Sequence, residues 1–370
     1  MEFLTEYGLF LAKVTTVVFA IAMIVSIVVG ASQKNKQSGE KGHLEITPLN
    51  QQFDDMSEAM LIATMDESLQ KAEEKKLHKA KKKQAKLDRK LGKKLSKDLD
   101  KNQSKNSAAD SSGDVETKSR VFVLNFNGNI SASATSHLRE EITAVLTQAT
   151  AHDEVLVKLE SPGGMVHSYG LASSQLDRIR KAQIPLTVCV DKVAASGGYM
   201  MACVADKILA APFAILGSIG VVAQMPNFNK VLKKHDVDYE ILTAGKYKRT
   251  LTMFGENTTK GRKKFIEELE DVHQLFKAHV SSRRPKVDID SIATGETWYG
   301  SQALEMALVD DVQTSDEYLV SRIKEADVYE VAYVHKKKLH ERLGIAAEES
   351  ADRLLLKWWA RLTQDSNKHI

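Results

Sequence analysis

The hydrophobic positions divide the chain into stretches of different character, and the first is a continuous apolar run. No residue from Val14 to Val29 is charged. With the apolar residues 9–12, the run is long enough to cross a bilayer if Lys13 extends to the interface. The pattern lacks the periodicity of an amphipathic core helix and predicts a transmembrane anchor over residues 9–31.

A cleaved signal peptide is the alternative interpretation of this run. Signal peptides begin with positive charge and end in a small-residue cleavage motif. Here Glu2 and Glu6 lead the run, and residues 28–32 match that motif poorly. We therefore expect a retained single-pass anchor in contact with the lipid bilayer.

Residues 32–118 lack the pattern of a folded core. No Phe, Tyr or Trp lies between Phe53 and Phe122, and runs of Lys, Ala, Glu and Gln favour helix. A solvated helix with one narrow apolar stripe is predicted by leucines that recur every four residues, namely Leu87, Leu91, Leu95 and Leu99. We interpret this stretch as a basic helical linker.

The positive charge of the chain is concentrated in this linker. The net charge is +3, whereas residues 71–105 hold 15 basic and 5 acidic residues. Such an arm could bind nucleic acid or anionic lipid headgroups. No aromatic residue is interleaved to stack on bases, so we expect no nucleic-acid partner and favour a solvated spacer near the membrane.

Residues 119–335 alternate between short β-branched runs and helical stretches. This alternation is typical of an α/β fold with a mostly parallel sheet and crossover helices. The predicted strands are Val121–Asn125, Val155–Leu159, Leu186–Val190, Ile208–Ala211, Ala214–Leu216 and Tyr239–Thr243. The predicted helices are Ser136–Gln148, Ser168–Lys181, Gly197–Val204 and Thr258–Ser282.

The remaining residues, 336–370, end in an apolar helix face around Trp358 and Trp359. We expect this C-terminal amphipathic helix to dock on a neighbouring protomer or on the membrane interface.

Glycine-rich segments follow four of the predicted strands, at residues 161–164 (SPGG), 196–198 (SGG), 217–220 (GSIG) and 245–248 (GKYK). Any one of them could be an ordinary turn that needs a positive φ. The carboxyl ends of parallel strands share one edge of a sheet, where such folds bind ligands. Four such loops together predict a functional site at that edge.

Ser196 is the candidate nucleophile. It lies at a predicted strand-to-helix turn, where a hydroxyl can stand beside a helix N-terminus. The GxSxG motif of the hydrolase elbow is not matched, because Ala194 replaces the first glycine. The backbone N–H of Gly197, with that of Gly163 or Gly164, could stabilise a tetrahedral oxyanion.

A serine nucleophile needs a base, and the residues offer two kinds. His167 and Asp191 could complete a Ser-His-Asp set, although His167 lies only three residues after Gly164. A lysine can serve only when neutral, which burial or neighbouring cations promote. Lys246, Lys248 and Arg249 crowd one another, and strand parity does not choose between the two lysines.

Several segments carry a family resemblance. SPGGMVHSYGLASSQL, VDKVAASGGYMMACVADKI, APFAILGSIGVVAQ, TAGKYKRTLTMFGENT and ATGETWYGSQALEMALVDDV, in this order, resemble the signal peptide peptidase A family of serine proteases. The resemblance implies a ClpP/crotonase-like fold, a Ser-Lys dyad, and ATP-independent cleavage of peptides or membrane-proximal polypeptides. It also implies a homo-oligomer, since larger members hold two copies of the domain and this chain has one.

The family motifs also imply individual roles. Ser196 in ASGGY matches the nucleophile, and Lys248 matches the general base. Ser218 in GSIG matches the residue that orients this lysine. Gly164 and Gly197 match the donors of the oxyanion N–H groups.

No cofactor is predicted. The sequence contains no GxxxxGK phosphate loop, no HExxH motif and no His/Cys cluster with metal-ligand spacing. We therefore expect neither ATP nor a metal ion. Cys189 and Cys203 lie in apolar surroundings, and we expect them to be buried free thiols.

Two other functions use some of the same features. A crotonase-type acyl-CoA enzyme also stabilises an oxyanion with two backbone N–H groups, but it needs neither a serine before Gly197 nor a lysine loop. A non-catalytic membrane scaffold would work through the basic arm, and would not require Ser196 and Lys248.

We expect the chain in a bacterial inner membrane, and two arguments disagree on the side of the protease domain. Family analogy places it on the periplasmic face. Lys34, Lys36 and Lys41 follow the predicted span closely, and basic residues near a span tend to stay in the cytoplasm. The charge bias therefore favours a cytoplasmic domain.

Overall fold

The computed structural model describes residues 42–66 and 118–335, together with Thr15, Lys79, Lys82, Lys83 and Lys86. The chain divides into two units, residues 1–44 with 333–370 and residues 45–332. The second unit contains nearly all of the described residues.

The predicted anchor at residues 9–31 lies outside the described residues, apart from Thr15. The leucine stripe of the linker and the C-terminal helix at 336–370 also lie outside them. Among the described residues, no helix combines the length and the apolar character that a membrane span needs.

The structure contains two sheets. A seven-stranded sheet has the order β1-β10-β2-β3-β4-β6-β9, and a three-stranded sheet has the order β5-β7-β8. The strands are β1 (His43–Pro48), β2 (Arg120–Asn127), β3 (Glu154–Glu160), β4 (Leu186–Val190), β5 (Val193–Ala195), β6 (Lys207–Ala210), β7 (Ile215–Gly217), β8 (Thr297–Tyr299), β9 (Asp311–Val312) and β10 (Asp327–Val334). From β10 to β9 the large sheet is parallel, and in the small sheet β5 and β7 are parallel while β8 is antiparallel to β7.

Helices connect the parallel strands. They are α1 (Leu49–Ala63), α2 (Thr135–Leu146), α3 (Val166–Lys181), α4 (Gly197–Ala202), α5 (Asn229–Lys234), α6 (Thr259–Arg283), α7 (Ile289–Ile292), α8 (Gly300–Glu305) and α9 (Ser315–Ile323). The mixed α/β fold with a mostly parallel sheet is thus as predicted.

The large sheet is buried on both faces. All five residues of β4 are buried, and its four apolar side chains divide between two hydrophobic clusters. Val188 belongs to the larger cluster, which also contains residues of α2, α3 and α4. Cys189 belongs to the smaller cluster, with Leu319 of α9. Near-continuous apolar strands such as β3 and β4 are typical of parallel sheets covered by helices on both sides.

One predicted strand is wrong. Residues 239–243 form neither helix nor strand, and all five are exposed. Their β-branched and aromatic residues have a high strand propensity, but a strand also needs a partner to pair its backbone groups. The loop at 245–248 therefore follows no strand. The prediction of one sheet edge shared by four loops fails for this loop.

Asp153 fixes the start of the central strands. Its buried carboxylate accepts hydrogen bonds from Arg120 Nε and Nη2, at 3.0 and 2.7 Å, and from the N–H of Thr150 at 2.8 Å. Burial alone would raise the pKa of Asp153, but the hydrogen bonds from Arg120 and Thr150 outweigh this effect and lower it to about 2.

We predict that Asp153→Asn lowers the free energy of unfolding by about 2 kcal/mol at neutral pH. Because the folded-state pKa is depressed, the carboxylate stabilises the wild type above about pH 4, and this contribution is lost as pH falls toward 2. Denaturant unfolding of the wild type and of Asp153→Asn at pH 7 and pH 2.5 measures the two free energies of unfolding. The difference between them should be smaller at pH 2.5.

The control is Asp316→Asn, because the Asp316 carboxylate is 85% exposed and pairs with Lys158 at 3.4 Å. An exposed pair of this kind contributes little to stability. An equal loss in both variants, or a loss in Asp153→Asn that does not depend on pH, would contradict the assignment.

Candidate active site

The two sheets meet next to Ser161. Ser161 follows β3 and forms an isolated parallel bridge with Ala194 of β5. Its N–H donates to Val193 O at 2.8 Å, and its carbonyl accepts from the N–H of Ala195 at 3.0 Å. The SPGG loop, which begins at Ser161, therefore lies beside the residues that lead to Ser196.

Ser196 lies in a strained turn between β5 and α4. It has φ +51° and ψ −118°, a region that costs a residue with a side chain about 1–3 kcal/mol. The turn is held by the Ser196 N–H, which donates to Gly217 O at 2.7 Å, and by its carbonyl, which accepts from Met200 N at 2.9 Å. All six residues of α4 are buried, whereas Ser196 is half-buried. The strand-to-helix turn expected at this serine is present.

Gly163 lies directly against this turn. It has φ +91°, and a Cβ added there would lie 2.8 Å from Ala195 O, from Gly197 N and from Ser196 Cβ. Only glycine fits this position, both for its conformation and for its contacts. The structure thus brings the SPGG loop and the Ser196 turn into contact, as the sequence predicts.

The three glycines that were candidates for an oxyanion site, Gly163, Gly164 and Gly197, differ in whether their N–H groups already have a hydrogen-bond acceptor. The Gly163 N–H donates to Ser161 Oγ at 3.1 Å and is therefore occupied. Within residues 118–335, neither the N–H of Gly164 nor that of Gly197 donates to a protein acceptor. Gly197 directly follows Ser196, and Gly164 directly follows Gly163, which packs against Gly197 N and Ser196 Cβ. Both unused donors therefore lie next to residues of the Ser196 turn, and unused backbone donors are what an oxyanion site requires.

Ser218 is brought close to Ser196 by the pairing of β5 with β7. Ala195 lies in register with Gly217, so the two serines follow paired residues. Ser218 also has φ +51°, and its N–H donates to Glu296 O at 2.6 Å. Two of the four glycine-rich loops, at residues 196–198 and 217–220, therefore follow strands of the small sheet and not of the large sheet. Of the small sheet's three-residue strands, β7 matches the strand predicted at Ala214–Leu216, whereas β5 and β8 carry too little pattern to be assigned from sequence.

The lysine loop, residues 245–248, is exposed along its whole length. Lys248 is exposed, and its N–H donates to Gly245 O at 3.2 Å. The neighbouring Tyr247 ring lies 5.1 Å from Lys246 Nζ and 5.7 Å from Lys264 Nζ. In the part of the chain that the structure describes, no hydrogen bond or ion pair joins the side chain of Lys248 to either serine.

The alternative His167 and Asp191 pair is not formed. The Asp191 carboxylate accepts hydrogen bonds from Ser315 N and Ser315 Oγ, at 2.8 and 2.5 Å, and so binds the first residue of α9. His167 is exposed on the first turn of α3. Among the described side chains, no hydrogen bond links His167 to Asp191 or to Ser196.

The cysteines are buried free thiols, as expected. Burial raises the pKa of Cys189 and of Cys203 to about 12 in each case. Both thiols are protonated at neutral pH, so neither is a nucleophile. Within the described residues, no group of His, Cys, Asp and Glu side chains could hold a metal ion.

Sequence reasoning missed a buried polar pair, formed by Ser161, the first residue of the SPGG loop, and Tyr169 of α3. Tyr169 occurs at helical spacing among apolar residues of α3, which indicates a core residue. The only sequence signal for Ser161 was its place in the SPGG motif.

Comparison with known proteins identifies the family. Residues 2–176 match "Peptidase family S49 N-terminal", and residues 178–329 match "Peptidase family S49". A "Probable protease SohB" of Haemophilus influenzae is 48% identical over 364 residues, which is 98% of each chain. The chain belongs to peptidase family S49. The family resemblance predicted from the sequence motifs is thus confirmed, and the chain is a peptidase.

Other S49 relatives cover most of the chain as well. A "Probable protease SohB" of Buchnera aphidicola subsp. Schlechtendalia chinensis is 46% identical over 87% of this chain and 100% of its own. A solved structure of a membrane-bound stomatin-specific protease, 1510-N, in complex with a substrate peptide is 15% identical, with a TM-score of 0.37. It covers 61% of this chain and 96% of that chain.

We predict that Gly163→Ala removes peptidase activity and destabilises the fold by about 1–3 kcal/mol, since alanine is strained at φ +91° and its methyl group would collide with the Ser196 turn. Turnover of a peptide substrate and denaturant unfolding measure the two effects.

The matched control is Gly170→Ala. Gly170 lies within α3, and a Cβ added there has no heavy atom within 4 Å. This variant should be stabilised by about 0.5–1 kcal/mol and should keep its activity, because alanine is the better helix former. Wild-type activity in Gly163→Ala would show that the SPGG loop does not form part of the site.

Proposed function

We propose that this S49 peptidase is a membrane-anchored, ATP-independent serine endopeptidase with a Ser-Lys dyad that cleaves peptides or membrane-proximal polypeptides. The observation that carries the proposal is the Ser196 turn, where a half-buried serine stands beside two unused backbone donors, Gly164 N–H and Gly197 N–H.

In the proposed reaction, neutral Lys248 Nζ takes the proton of Ser196 Oγ while this oxygen attacks the scissile carbonyl carbon. The carbonyl π bond opens to an oxyanion, which the N–H groups of Gly164 and Gly197 stabilise. The lysine then gives its proton to the leaving amine as the C–N bond breaks. Water, deprotonated by the same amine, hydrolyses the acyl-enzyme and restores Ser196.

Ser218 is proposed to orient the lysine. Its position is supported by the register between β5 and β7, which sets Ser218 beside Ser196. A lysine that approaches Ser196 from this side would meet the Ser218 hydroxyl as well.

A homo-oligomer would complete this site. Lys248 is exposed in the single chain, and so are large apolar side chains in the same segment, including Val222 at 79% and Leu242 at 91%. Exposed apolar surface of this kind marks an interaction site. We propose that a second copy covers residues 222–254, excludes water from the lysine loop and brings Lys248 to a serine.

The two alternative functions are less well supported. A scaffold would not need the strained Ser196 turn, whose conformation is costly to maintain. An acyl-CoA enzyme could use the two N–H groups, but membership of a peptidase family favours peptide cleavage.

The anchor at residues 9–31 and its place in a bacterial inner membrane are also proposals, with the protease domain in the cytoplasm on the basis of Lys34, Lys36 and Lys41. Protease added outside intact spheroplasts should leave the region after residue 118 undigested. Digestion of that region, with cytoplasmic proteins intact, would place the domain in the periplasm.

We predict that Ser196→Ala abolishes cleavage of a mixed peptide pool by the full-length protein and leaves its folding intact. Loss of a serine nucleophile removes several orders of magnitude of turnover. Ser174→Ala is the matched control, because Ser174 is exposed on α3 and its hydroxyl bonds only within its own helix, to Gly170 O. Undiminished turnover by purified Ser196→Ala would end the serine-peptidase interpretation.

We predict that Lys248→Ala is as inactive as Ser196→Ala, whereas Lys246→Ala keeps most of its activity. Turnover per chain should rise with protein concentration if a second copy completes the site. Collapse of Lys246→Ala with survival of Lys248→Ala would reverse the assignment of the base.

A further inference from the structure

A buried chain of hydrogen bonds, which we call the relay, begins in the SPGG loop. Ser161 and Tyr169 are both 0% exposed, and their side-chain oxygens lie 2.5 Å apart. Tyr169 Oη donates to Asn129 O at 2.8 Å, and the Gly163 N–H donates to Ser161 Oγ at 3.1 Å. Three consecutive hydrogen bonds thus link the backbone of the SPGG loop to the segment after β2.

The direction of each bond follows from the number of protons. A hydroxyl group donates only one hydrogen bond. Because Tyr169 Oη gives its proton to Asn129 O, it can only accept from Ser161 Oγ. The Ser161 hydroxyl therefore donates to Tyr169 and accepts from Gly163, so every group in the relay has a partner and no arrangement of opposite direction competes.

Tyr169 also contacts the second half of the site. A Cβ added at Gly197 would collide with the Tyr169 ring, so this ring lies against the first residue of α4. Tyr169 thus supports Gly163 indirectly, through the hydrogen bond of its hydroxyl with Ser161 Oγ, and supports Gly197 directly through its ring. Gly163 immediately precedes Gly164, one residue with an unused N–H, and Gly197 is the other.

We propose that Tyr169 and Ser161 are positioning residues that set the distance between the two oxyanion donors of the peptidase. This inference rests on the proposed function of Gly164 and Gly197. Neither side chain touches the reacting atoms, since both are fully buried. Their effect on the reaction passes through the backbone of Gly163 and the packing of Gly197.

The backbone packs closely around the relay. A Cβ added at Gly128 would lie 2.5 Å from both Ser161 Oγ and Tyr169 Oη, and one added at Gly198 would lie 2.5 Å from Ser161 O. Glycine at these positions allows the backbone to close around the two hydroxyls. Burial also raises the pKa of Tyr169, so its hydroxyl keeps its proton and remains a donor.

The test is Tyr169→Phe in the full-length protein. The variant keeps the ring against Gly197 but removes the partner of Ser161 Oγ and Asn129 O. A small displacement of an oxyanion donor lowers the rate of the chemical step, so we expect kcat to fall about 10- to 100-fold while KM changes less than about 2-fold. Gly128→Ala, which drives a methyl group against both hydroxyls, should show the same split.

Tyr318→Phe is the matched control. The Tyr318 hydroxyl also donates to a buried acceptor, Glu154 Oε1 at 2.6 Å, but it packs against the smaller cluster, on the other face of the large sheet. Loss of this hydrogen bond should lower stability and leave both kcat and KM unchanged. Wild-type kcat in folded Tyr169→Phe, or an equal fall of kcat in Tyr318→Phe, would overturn the inference.

Hydrogen–deuterium exchange at Gly163, read by mass spectrometry, tests the relay without any activity measurement. The Gly163 amide should be protected in the wild type, exchange faster in Tyr169→Phe and be unchanged in Tyr318→Phe. Exchange in the wild type at the rate of an unprotected amide would overturn the relay even if Tyr169→Phe failed to fold. Full activity of Ser196→Ala would instead refute the proposed function and leave the exchange result standing.

Discussion

The conformation of Ser196 is the constraint on which the site depends. Ser196 has φ +51°, which is unfavourable for a residue with a side chain. Such a conformation persists only where the surrounding structure holds it in place. Here the Ser196 N–H is fixed by Gly217 O, the following helix α4 is fully buried, and Gly163 closes the turn from the other side. This strained residue lies close to the bridge between Ser161 and Ala194, where the two sheets meet.

This constraint explains why glycine recurs around the serine. Gly163 and Gly197 each approach a neighbour so closely that a Cβ could not be accommodated. The N–H groups of Gly164 and Gly197 have no protein acceptor within residues 118–335. The glycines thus shape the turn and also expose the backbone donors that a tetrahedral intermediate needs.

The fold was largely predictable because its signal is local. Strands such as β3 and β4 are continuous apolar runs, and the helices between them show the spacing of crossover connections. The division into two sheets was not predictable, because β5, β7 and β8 have only three residues each. Residues 239–243 show the opposite failure, since they have strand-forming side chains but no partner strand.

The site was predictable only in part. The positions of Ser196 and the SPGG loop follow from residue types that have a local meaning, a serine beside paired glycines and a Gly-rich turn after a strand. The Ser161–Tyr169 pair was missed, since a tyrosine at helical spacing is indistinguishable from a core residue until its hydroxyl partners are known. Lys248 is exposed in the single chain, so its contact with a serine, which we propose to need a second copy, cannot be read from the local pattern of one chain.

Covalent labelling shows directly whether Ser196 is the nucleophile. The wild-type protein, in detergent or in vesicles, is treated with a serine-directed phosphonylating reagent, digested and sequenced by mass spectrometry. We expect one modified residue, Ser196, with no label after prior unfolding, because an ordinary serine hydroxyl does not react. Label at another serine, or complete inhibition without any label on Ser196, would contradict this expectation.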